Sequence, residues 1–458
     1  MLAFTILKAA TAAAPRLGRL ALPGKKIIDT PCFIGNTSRG VVPHLSPDNL
    51  HAKTSLGGVY LALEDFIEKS PEAVPPIFQT PSLNNASPLT SYCGLPHDIL
   101  TILGARRTPP VPCAKANTNT AVSILTSVGF RQVDATDYAA AVQRLKPDIA
   151  VGLADIMYDK GQISSKRIDK MGDRTGAWTR TLIQYCQDDD GEKGSLPHIF
   201  APILPIESQL QSYYINQLLD DDLKHQVSGF TVYDAESLLH IPQELSALPR
   251  LALSEPNGPT KLLLEISLGV DIFTVPFIGT ATDAGIALDF EFPPPSQVNG
   301  NSPKPLGTDG WLDEHAADTS PLAPSCECYS CRNHHRAFLH HLLSAREMLA
   351  WVLLQIHNHR ILDQFFAGVR KSIAKDTFEE DKAAFEKYYE PELRDTTGQG
   401  PRVRGYQFKS EGRGEPKKNP KAYGRLDDAR EKFAEGVLPS PNADAEDLER
   451  AGMGSVVL

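Results

Sequence analysis

Short apolar runs alternate with stretches whose apolar positions recur at helical spacing through the middle of the chain. The helical stretch Pro259–Leu268 is well delimited, because Pro259 suits a first helical turn and Gly269 suits a C-terminal stop. The predicted strands are Ile27–Ile34, Ile99–Gly104, Ser123–Val133, Asp148–Asp155, His198–Leu204, Gly229–Tyr233, Arg250–Leu253 and Val270–Phe277. The predicted helices are Thr136–Leu145, Lys166–Cys186, Ile206–Lys224, Ala235–Leu239 and Pro259–Leu268. Repeated βα units predict a parallel sheet, either closed as a barrel or open and doubly wound.

A missing motif favours one of these two architectures. No glycine-rich phosphate-binding sequence follows any predicted strand, so the doubly wound alternative loses its main support. We therefore predict an α/β fold with a closed barrel.

The N-terminal segment supports two interpretations. Residues 1–26 contain Lys8, Arg16, Arg19, many alanines and no acidic residue, a composition that resembles a mitochondrial transit peptide. Alternatively, Phe4–Leu7 is the first strand and the following residues form a hairpin that belongs to the fold. No apolar run approaches the length of about 18 residues that a membrane-spanning helix needs, so we expect no integral membrane contact.

Net charge and cysteine content argue against two classes, proteins that bind nucleic acid through their overall charge and secreted proteins held by disulfides. The formal net charge is −10, so the charge of the whole chain gives no reason to expect a nucleic acid partner. Four of the seven cysteines are scattered singly and three are crowded into six residues. That distribution is typical of a reducing compartment and of one metal cluster rather than of a secreted disulfide framework.

Cys326, Cys328 and Cys331 place three thiols on one short loop. Thiolates bind zinc tetrahedrally, and a CxCxxC loop can supply three of the four ligands. Six histidines that follow could supply the fourth: His334, His335, His340, His341, His357 and His359. The alternative is a group of buried or reactive cysteines that binds no metal.

The helical pattern selects His357 among these histidines. An unbroken helix from Cys331 would place His357 about 39 Å away, which is out of reach. Ser344–Glu347 has the form of a capping box, which predicts that a new helix starts there and that the chain folds back. His357 then lies beside an apolar stripe that faces the protein body. We predict one structural Zn²⁺ per chain, since a closed Cys₃His site has no open position.

The Cys326, Cys328 and Cys331 spacing, followed by His357 and Asn358, resembles the zinc motif of the queuine tRNA-ribosyltransferases, also called tRNA-guanine transglycosylases. Arg16–Leu20 with Thr30–Ile34 is similar to the opening strand of that family, which argues against a cleaved leader. Gly269–Phe273 resembles the strand that carries the catalytic aspartate. The resemblance implies a (β/α)₈ TIM barrel with a zinc-binding subdomain inserted near the C-terminal end, and base exchange in the tRNA anticodon.

These features give expected boundaries along the chain. The barrel body should occupy residues 1–292, and the segment 293–325, which is rich in Pro, Gly, Ser and Asn, should form a flexible loop. The zinc-binding subdomain with the closing helices should occupy 326–375, and a helical extension 376–395. We expect 396–458 to be a disordered tail, although its basic part could also contact RNA phosphates.

The chemistry of the family is not matched by this sequence. Thr274 stands where the resemblance implies the aspartate nucleophile, so no catalytic residue is predicted. The second catalytic aspartate belongs to an Asp-Ser-Gly-Gly motif that this sequence lacks, and Ala201–Leu204 replaces a base-reading Gln-Gly-Gly segment. Asp155 does match an aspartate that recognises the purine, but it could equally be a carboxylate that caps the end of a strand.

A zinc motif without the catalytic residues resembles the non-catalytic accessory members of the family. The resemblance implies a heterodimer with a catalytic subunit, and tRNA contact through that complex. The complex would exchange guanine for queuine at the wobble position of the tRNAs for aspartate, asparagine, histidine and tyrosine. Because no segment encodes a membrane anchor, we expect a cytoplasmic location, and the resemblance adds peripheral attachment to the mitochondrial outer membrane as a further expectation. One alternative is an active enzyme that has recruited Asp271 or Asp283, and another is a zinc-stabilised barrel without an RNA role.

Overall fold

A computed structural model of the chain describes residues 2–9, 11, 13–68, 73–82, 86–113, 115–158, 163–187, 196–295, 302–393 and 400–401. The strands are β1 (Ala3–Ala9), β2 (Arg16–Ala21), β3 (Ile28–Thr30), β4 (Cys32–Asn36), β5 (Gly58–Ala62), β6 (Leu100–Gly104), β7 (Ala121–Thr126), β8 (Gly129–Asp134), β9 (Ile149–Val151), β10 (His198–Ile203), β11 (Val227–Val232), β12 (Arg250–Ala252), β13 (Ile272–Thr274), β14 (Ile286–Leu288) and β15 (Gly307–Asp309). The α-helices are α1 (Pro47–Lys53), α2 (Pro88–Cys93), α3 (Ala135–Leu145), α4 (Ser165–Gln187), α5 (Ser212–Gln217), α6 (Asp221–Lys224), α7 (Pro259–Ser267), α8 (Phe277–Asp283), α9 (Tyr329–Asn333), α10 (Arg336–Ser344), α11 (Met348–Lys375) and α12 (Phe378–Tyr388).

Eight parallel strands form a closed barrel in chain order, which confirms the predicted fold class. The order is β4, β5, β6, β9, β10, β11, β12 and β13, and β13 pairs back to β4. Strands that are covered on both sides read as continuous apolar runs, and β5 and β6 are buried at every position. The carboxyl ends of the strands form one rim of the barrel, which we call the mouth.

Two predictions about the strands are wrong. The barrel strand β5 was not predicted, because a run of five residues shows no periodicity that separates a buried strand from other apolar segments. The single strand predicted at Ser123–Val133 is instead the antiparallel hairpin of β7 and β8, which turns at Ser127 and Val128. Gly129 follows the turn with φ near 128°, a conformation that favours glycine.

Three further segments have structure that the sequence patterns described incompletely. β1 to β3 form an antiparallel sheet, so the segment Phe4–Leu7 is a strand in this structure. The predicted helix Ile206–Lys224 is divided into a 3₁₀ turn, α5 and α6. Within the segment predicted as a flexible loop, β15 pairs with β14 and Leu322 is buried. The predicted tail 396–458 lies outside the described residues except for 400 and 401.

The helix α11 closes the structure and is buried along most of its length. It contacts β2, β4, α8 and β14, so it lies against both the barrel and the small β14–β15 sheet. Aromatic rings join it to the barrel, since the ring centre of Phe366 lies 5.7 Å from that of Phe33, on which it is stacked, and 5.7 Å from that of Phe273, to which it is tilted. No helix of the described residues combines the length and apolar character that crossing a bilayer requires.

A buried ion pair joins the N-terminal sheet to the floor of the barrel, which is the rim formed by the amino ends of the strands. Arg16 of β2 donates to both carboxylate oxygens of Asp271, from Nε at 2.8 Å and from Nη2. The two side chains are 1% and 0% exposed. Asp271 also accepts the backbone N–H of Arg250 at 2.8 Å, so its charge is compensated on several sides. Removing either partner would leave the other charge buried without its counter-ion.

We expect Arg16→Ala to lower the free energy of unfolding by about 3–5 kcal/mol, because Asp271 would then be a buried charge without its partner. Urea denaturation monitored by circular dichroism measures this change. Arg19→Ala is the matched control, since Arg19 lies on the same strand but forms an exposed pair with Asp29, and the change there should be far smaller. Equal losses in the two variants would contradict the role given to the Arg16 and Asp271 pair.

Candidate metal centre and barrel mouth

The three cysteines and His357 converge on one point. Their four potential ligand atoms all lie within 4.8 Å of one another. His357 Nδ1 is 3.3 Å from Cys331 Sγ and 3.7 Å from Cys328 Sγ. In a tetrahedral zinc site with ordinary bond lengths, sulfur and nitrogen ligands are roughly 3.6 Å apart. The spacing therefore suits one metal ion held by Cys326, Cys328, Cys331 and His357.

The surroundings of His357 orient its ring for ligation. The opposite ring nitrogen, Nε2, lies 2.8 Å from the carbonyl oxygen of Leu288, which accepts its N–H. With the proton on Nε2, the lone pair of Nδ1 faces the sulfur atoms, as ligating histidines require. Burial lowers the pKa of His357, but hydrogen bonds to Cys328 and Cys331 outweigh burial and raise the pKa to about 10. A metal ion bound at Nδ1 would take the place of the second ring proton that this raised pKa favours.

Local helix geometry explains how the loop with Cys326, Cys328 and Cys331 meets α11. Cys328 is the N-cap of α9, where its Sγ accepts the backbone N–H of Cys331 at 3.4 Å. The predicted chain reversal before His357 is present, but the predicted capping box is wrong. Ser344 is the last residue of α10, and Glu347 precedes α11 without a side-chain cap bond. Arg346 instead turns the chain with φ near 55°.

Asn358 fixes α11 beside the cluster, a role that the sequence patterns did not reveal. Its Oδ1 accepts the backbone N–H of Leu288 at 2.9 Å, and its Nδ2 donates to Thr282 Oγ1 and to the carbonyl of Ile286. His357 and Asn358 therefore bond to the same strand, β14. His359 is also buried, with its ring centre 5.6 Å from that of Phe33.

At the barrel mouth, Thr274 is a buried hydroxyl with a structural bond. It ends β13, is fully buried, and donates from Oγ1 to the carbonyl oxygen of Ala252 on the neighbouring strand at 3.0 Å. A threonine hydroxyl needs a nearby base to act as a nucleophile. The hydroxyl hydrogen is instead used in a bond between two strands.

Asp155 is the centre of a buried ion-pair network. Its carboxylate accepts from Arg167 at 2.6 and 2.7 Å, from Arg174 at 3.0 Å and from Asn117 at 2.8 Å. Burial raises the pKa of Asp155, but the hydrogen bonds from Arg167, Asn117 and Arg174 outweigh burial and lower it. Arg167 and Arg174 are seven residues apart, so they share one face of α4, and this spacing is the signal in the sequence that could have identified the pair.

The mouth leaves little free volume beside this network. A cavity of about 30 Å³ lies there, and its lining includes Tyr60, Arg106, Tyr158 and Tyr233. Arg106 lies with its guanidinium carbon 5.2 Å from the centre of the Tyr158 ring and donates to Asn117 Oδ1 at 3.0 Å. Among the described residues, these side chains therefore narrow the mouth to a small cavity.

The two other aspartates considered as nucleophiles lie elsewhere. Asp271 precedes β13 at the barrel floor and is buried against Arg16. Asp283 is the last residue of α8, and its Oδ1 lies 2.6 Å from Nε2 of His44. Neither residue belongs to the lining of the mouth cavity.

Comparison with known proteins identifies the family. A family model described as queuine tRNA-ribosyltransferase matches residues 11–391. The chain belongs to the queuine tRNA-ribosyltransferase family. Its relatives include a Schizosaccharomyces pombe protein named queuine tRNA-ribosyltransferase accessory subunit 2, which is 34% identical over 383 residues, or 84% of this chain and 83% of the relative. A protein with the same name from Drosophila pseudoobscura pseudoobscura is 28% identical, over 81% of this chain and 89% of its own length. Another from Xenopus tropicalis is 26% identical, over 76% of this chain and 90% of its own length.

For this queuine tRNA-ribosyltransferase family member, we expect His357→Ala to abolish tight metal binding. Changes to groups that only support a ligand cost about 10- to 100-fold in metal affinity, so loss of a direct ligand should cost more than about 100-fold. Elemental analysis of the purified protein measures the bound metal. His341→Ala is the control, because His341 lies on α10 with an exposed side chain. Full metal content in His357→Ala would exclude His357 as a ligand.

Proposed function

We propose that this chain is a non-catalytic accessory subunit of a queuine tRNA-ribosyltransferase. It would pair with a catalytic subunit as a heterodimer, and the complex would exchange guanine for queuine at the wobble position of the tRNAs for aspartate, asparagine, histidine and tyrosine. The names of its relatives in yeast, fly and frog support the accessory role. We also propose a cytoplasmic location, with peripheral attachment to the mitochondrial outer membrane.

The observation that carries this proposal is the environment of Thr274. Covalent catalysis by the family needs a carboxylate at the end of this strand, and Thr274 has instead a buried hydroxyl bonded to the Ala252 carbonyl. Asp155, the other candidate in the mouth, is engaged by Arg167, Arg174 and Asn117. Both observations support a chain that performs no base exchange and has no free base-recognition group at Asp155.

We propose further that the Cys₃His cluster holds one structural Zn²⁺. Three thiolates and one imidazole are a typical zinc donor set, and together they would complete a tetrahedron without an open position. The cluster joins the Cys326–Cys331 loop to α11 and β14, so metal binding would stabilise this subdomain. A rigid subdomain is suited to presenting a subunit interface, whereas a closed coordination sphere offers no position for substrate.

The alternative of an active enzyme with a different carboxylate has weaker support. Asp271 is inaccessible in its pair with Arg16, and Asp283 is close to His44 rather than to the mouth cavity. A zinc-stabilised barrel without an RNA role is compatible with the same geometry, and only the names of the relatives speak against it.

A base-exchange assay with labelled guanine and tRNA tests the proposed function. We expect no activity from this chain alone, and a severalfold increase when it is added to a catalytic homologue from the same source. Size-exclusion chromatography of the mixture should show a complex of one copy of each. Activity of the isolated chain would overturn the accessory role, and the absence of both complex and enhancement would favour the barrel without an RNA role.

Thr274→Val is the informative variant in the same assay. Valine has the shape of threonine but lacks the hydroxyl, so the variant removes the bond to Ala252 while the strand stays buried. We expect the variant to enhance the catalytic homologue as well as the unaltered chain does. If the variant folds and binds the partner but no longer enhances activity, the Thr274 hydroxyl has a functional role that the proposal does not include.

A further inference from the structure

Residues 318–322, which we call the strap, cross the N-terminal end of α10. The backbone N–H of Arg336 donates to the carbonyl oxygen of Ser320 at 3.0 Å, and that of Ala337 donates to the carbonyl oxygen of Asp318 at 2.8 Å. The first N–H groups of a helix have no partner within the helix, and the strap supplies partners for two of them. The strap therefore caps α10 through its own backbone.

The side chain of Arg336 holds the strap a second time. Its Nε donates to the carbonyl oxygen of Pro321 at 3.1 Å, and its Nη2 donates to that of Leu322 at 3.1 Å. Together with the backbone bond to Ser320, one arginine thus binds three consecutive carbonyl groups. The remaining nitrogen, Nη1, lies 3.6 Å from Oδ2 of Asp318, which is longer than a hydrogen bond. An anion that came closer to Nη1 would replace this ionic contact.

Ser320 is an exposed serine that directly precedes Pro321 in the strap. Its Oγ donates to Oδ1 of Asp318 at 2.6 Å, and its backbone N–H donates to the same oxygen at 2.9 Å. The other oxygen of that carboxylate is the one that faces Arg336. Asp318 therefore stands between the Ser320 hydroxyl and the guanidinium group, so an anionic group on Ser320 Oγ would lie within reach of Arg336.

We propose that Ser320 is a phosphorylation site for a protein kinase that selects serine before proline, and that Arg336 receives the phosphate. The kinase transfers the γ-phosphoryl group of ATP to Ser320 Oγ, ADP leaves, and the hydroxyl proton passes to the catalytic aspartate of the kinase. The product carries a charge of about −1.5 to −2 at pH 7 and three strong acceptor oxygens. This inference needs neither RNA nor a partner subunit, so it stands or falls independently of the proposed function.

The phosphate tightens the strap. Its repulsion of Asp318 costs little, because Asp318 keeps the backbone N–H of Ser320 and its contact with Arg336 is already long. A phosphate beside an arginine forms short charge-assisted bonds, and the N-terminal end of a helix such as α10 favours negative charge. Leu322, at the end of the strap, is buried in an apolar cluster with Leu339 of α10. The modified strap therefore stays closed over that cluster for a larger fraction of the time.

Phosphoserine incorporated at position 320 of the full-length chain tests whether Arg336 receives the phosphate. Hydrogen–deuterium exchange followed by mass spectrometry should show severalfold slower exchange of the Arg336 and Ala337 N–H groups, with unchanged exchange in β5 and β6. Ser320→Ala controls for loss of the hydroxyl bond to Asp318 and should not slow the exchange. In Arg336→Lys, which keeps the charge without the planar fork, phosphoserine should slow the exchange less. Equal or faster exchange in the chain with phosphoserine would overturn the inference.

The choice of serine is tested with ATP and a purified cyclin-dependent kinase, a class that selects serine before proline. Mass spectrometry of a protease digest should find one phosphate on the peptide that contains Ser320. Thr319→Ala is the matched control, since Thr319 is the exposed neighbouring hydroxyl but does not precede proline. That variant should keep the phosphate, and Ser320→Ala should lose it. A phosphate on Thr319 instead, or none on this peptide, would show that the site is wrongly assigned.

Discussion

The attachment of α11 to β14 is the interaction on which the C-terminal part of the structure depends. His357 and Asn358 are consecutive, and both bond to the β14 strand, through the Leu288 carbonyl and the Leu288 and Ile286 backbone groups. The same His357 ring presents its other nitrogen to Cys328 and Cys331. One side chain therefore fixes the position of α11 relative to the cysteine loop and to β14. A metal ion at this point would make the three parts a single rigid unit.

Buried arginine–carboxylate pairs stand at both ends of the barrel, and their surroundings differ. At the floor, Arg16 and Asp271 are both inaccessible, and the pair joins the N-terminal sheet to β13. At the mouth, Arg167 and Arg174 are partly exposed while Asp155 is not. Since a buried carboxylate is costly without partners, each aspartate constrains the element that supplies its arginine. The floor pair fixes β2, and the mouth pair fixes the first turns of α4.

The sequence predicted the closed barrel and the gathering of the metal ligands because both depend on local patterns or on rare residue types. Cysteines at fixed spacing have few alternative uses in a reducing compartment, so the cluster could be identified without knowledge of the fold. The strand β5 was missed because Gly58–Ala62 is short and wholly apolar. The network around Asp155 was missed because Asn117, Asp155 and the helix α4 that carries Arg167 and Arg174 are separate segments that meet only after the barrel has closed.

The retained cluster and the altered mouth are under different physical constraints. A metal cluster tolerates little change, since removing one ligand leaves buried thiols with neither an ion nor a proper set of hydrogen bonds. A mouth without a nucleophilic carboxylate, as the proposed function requires, can be filled, because each new contact there adds stability without a cost to chemistry. Thr274 bonded to Ala252 and Arg167 bonded to Asp155 are both contacts of this kind. The two regions are therefore both consistent with the proposed accessory role, which depends on the geometry of the Cys₃His subdomain and does not depend on a nucleophile at the mouth.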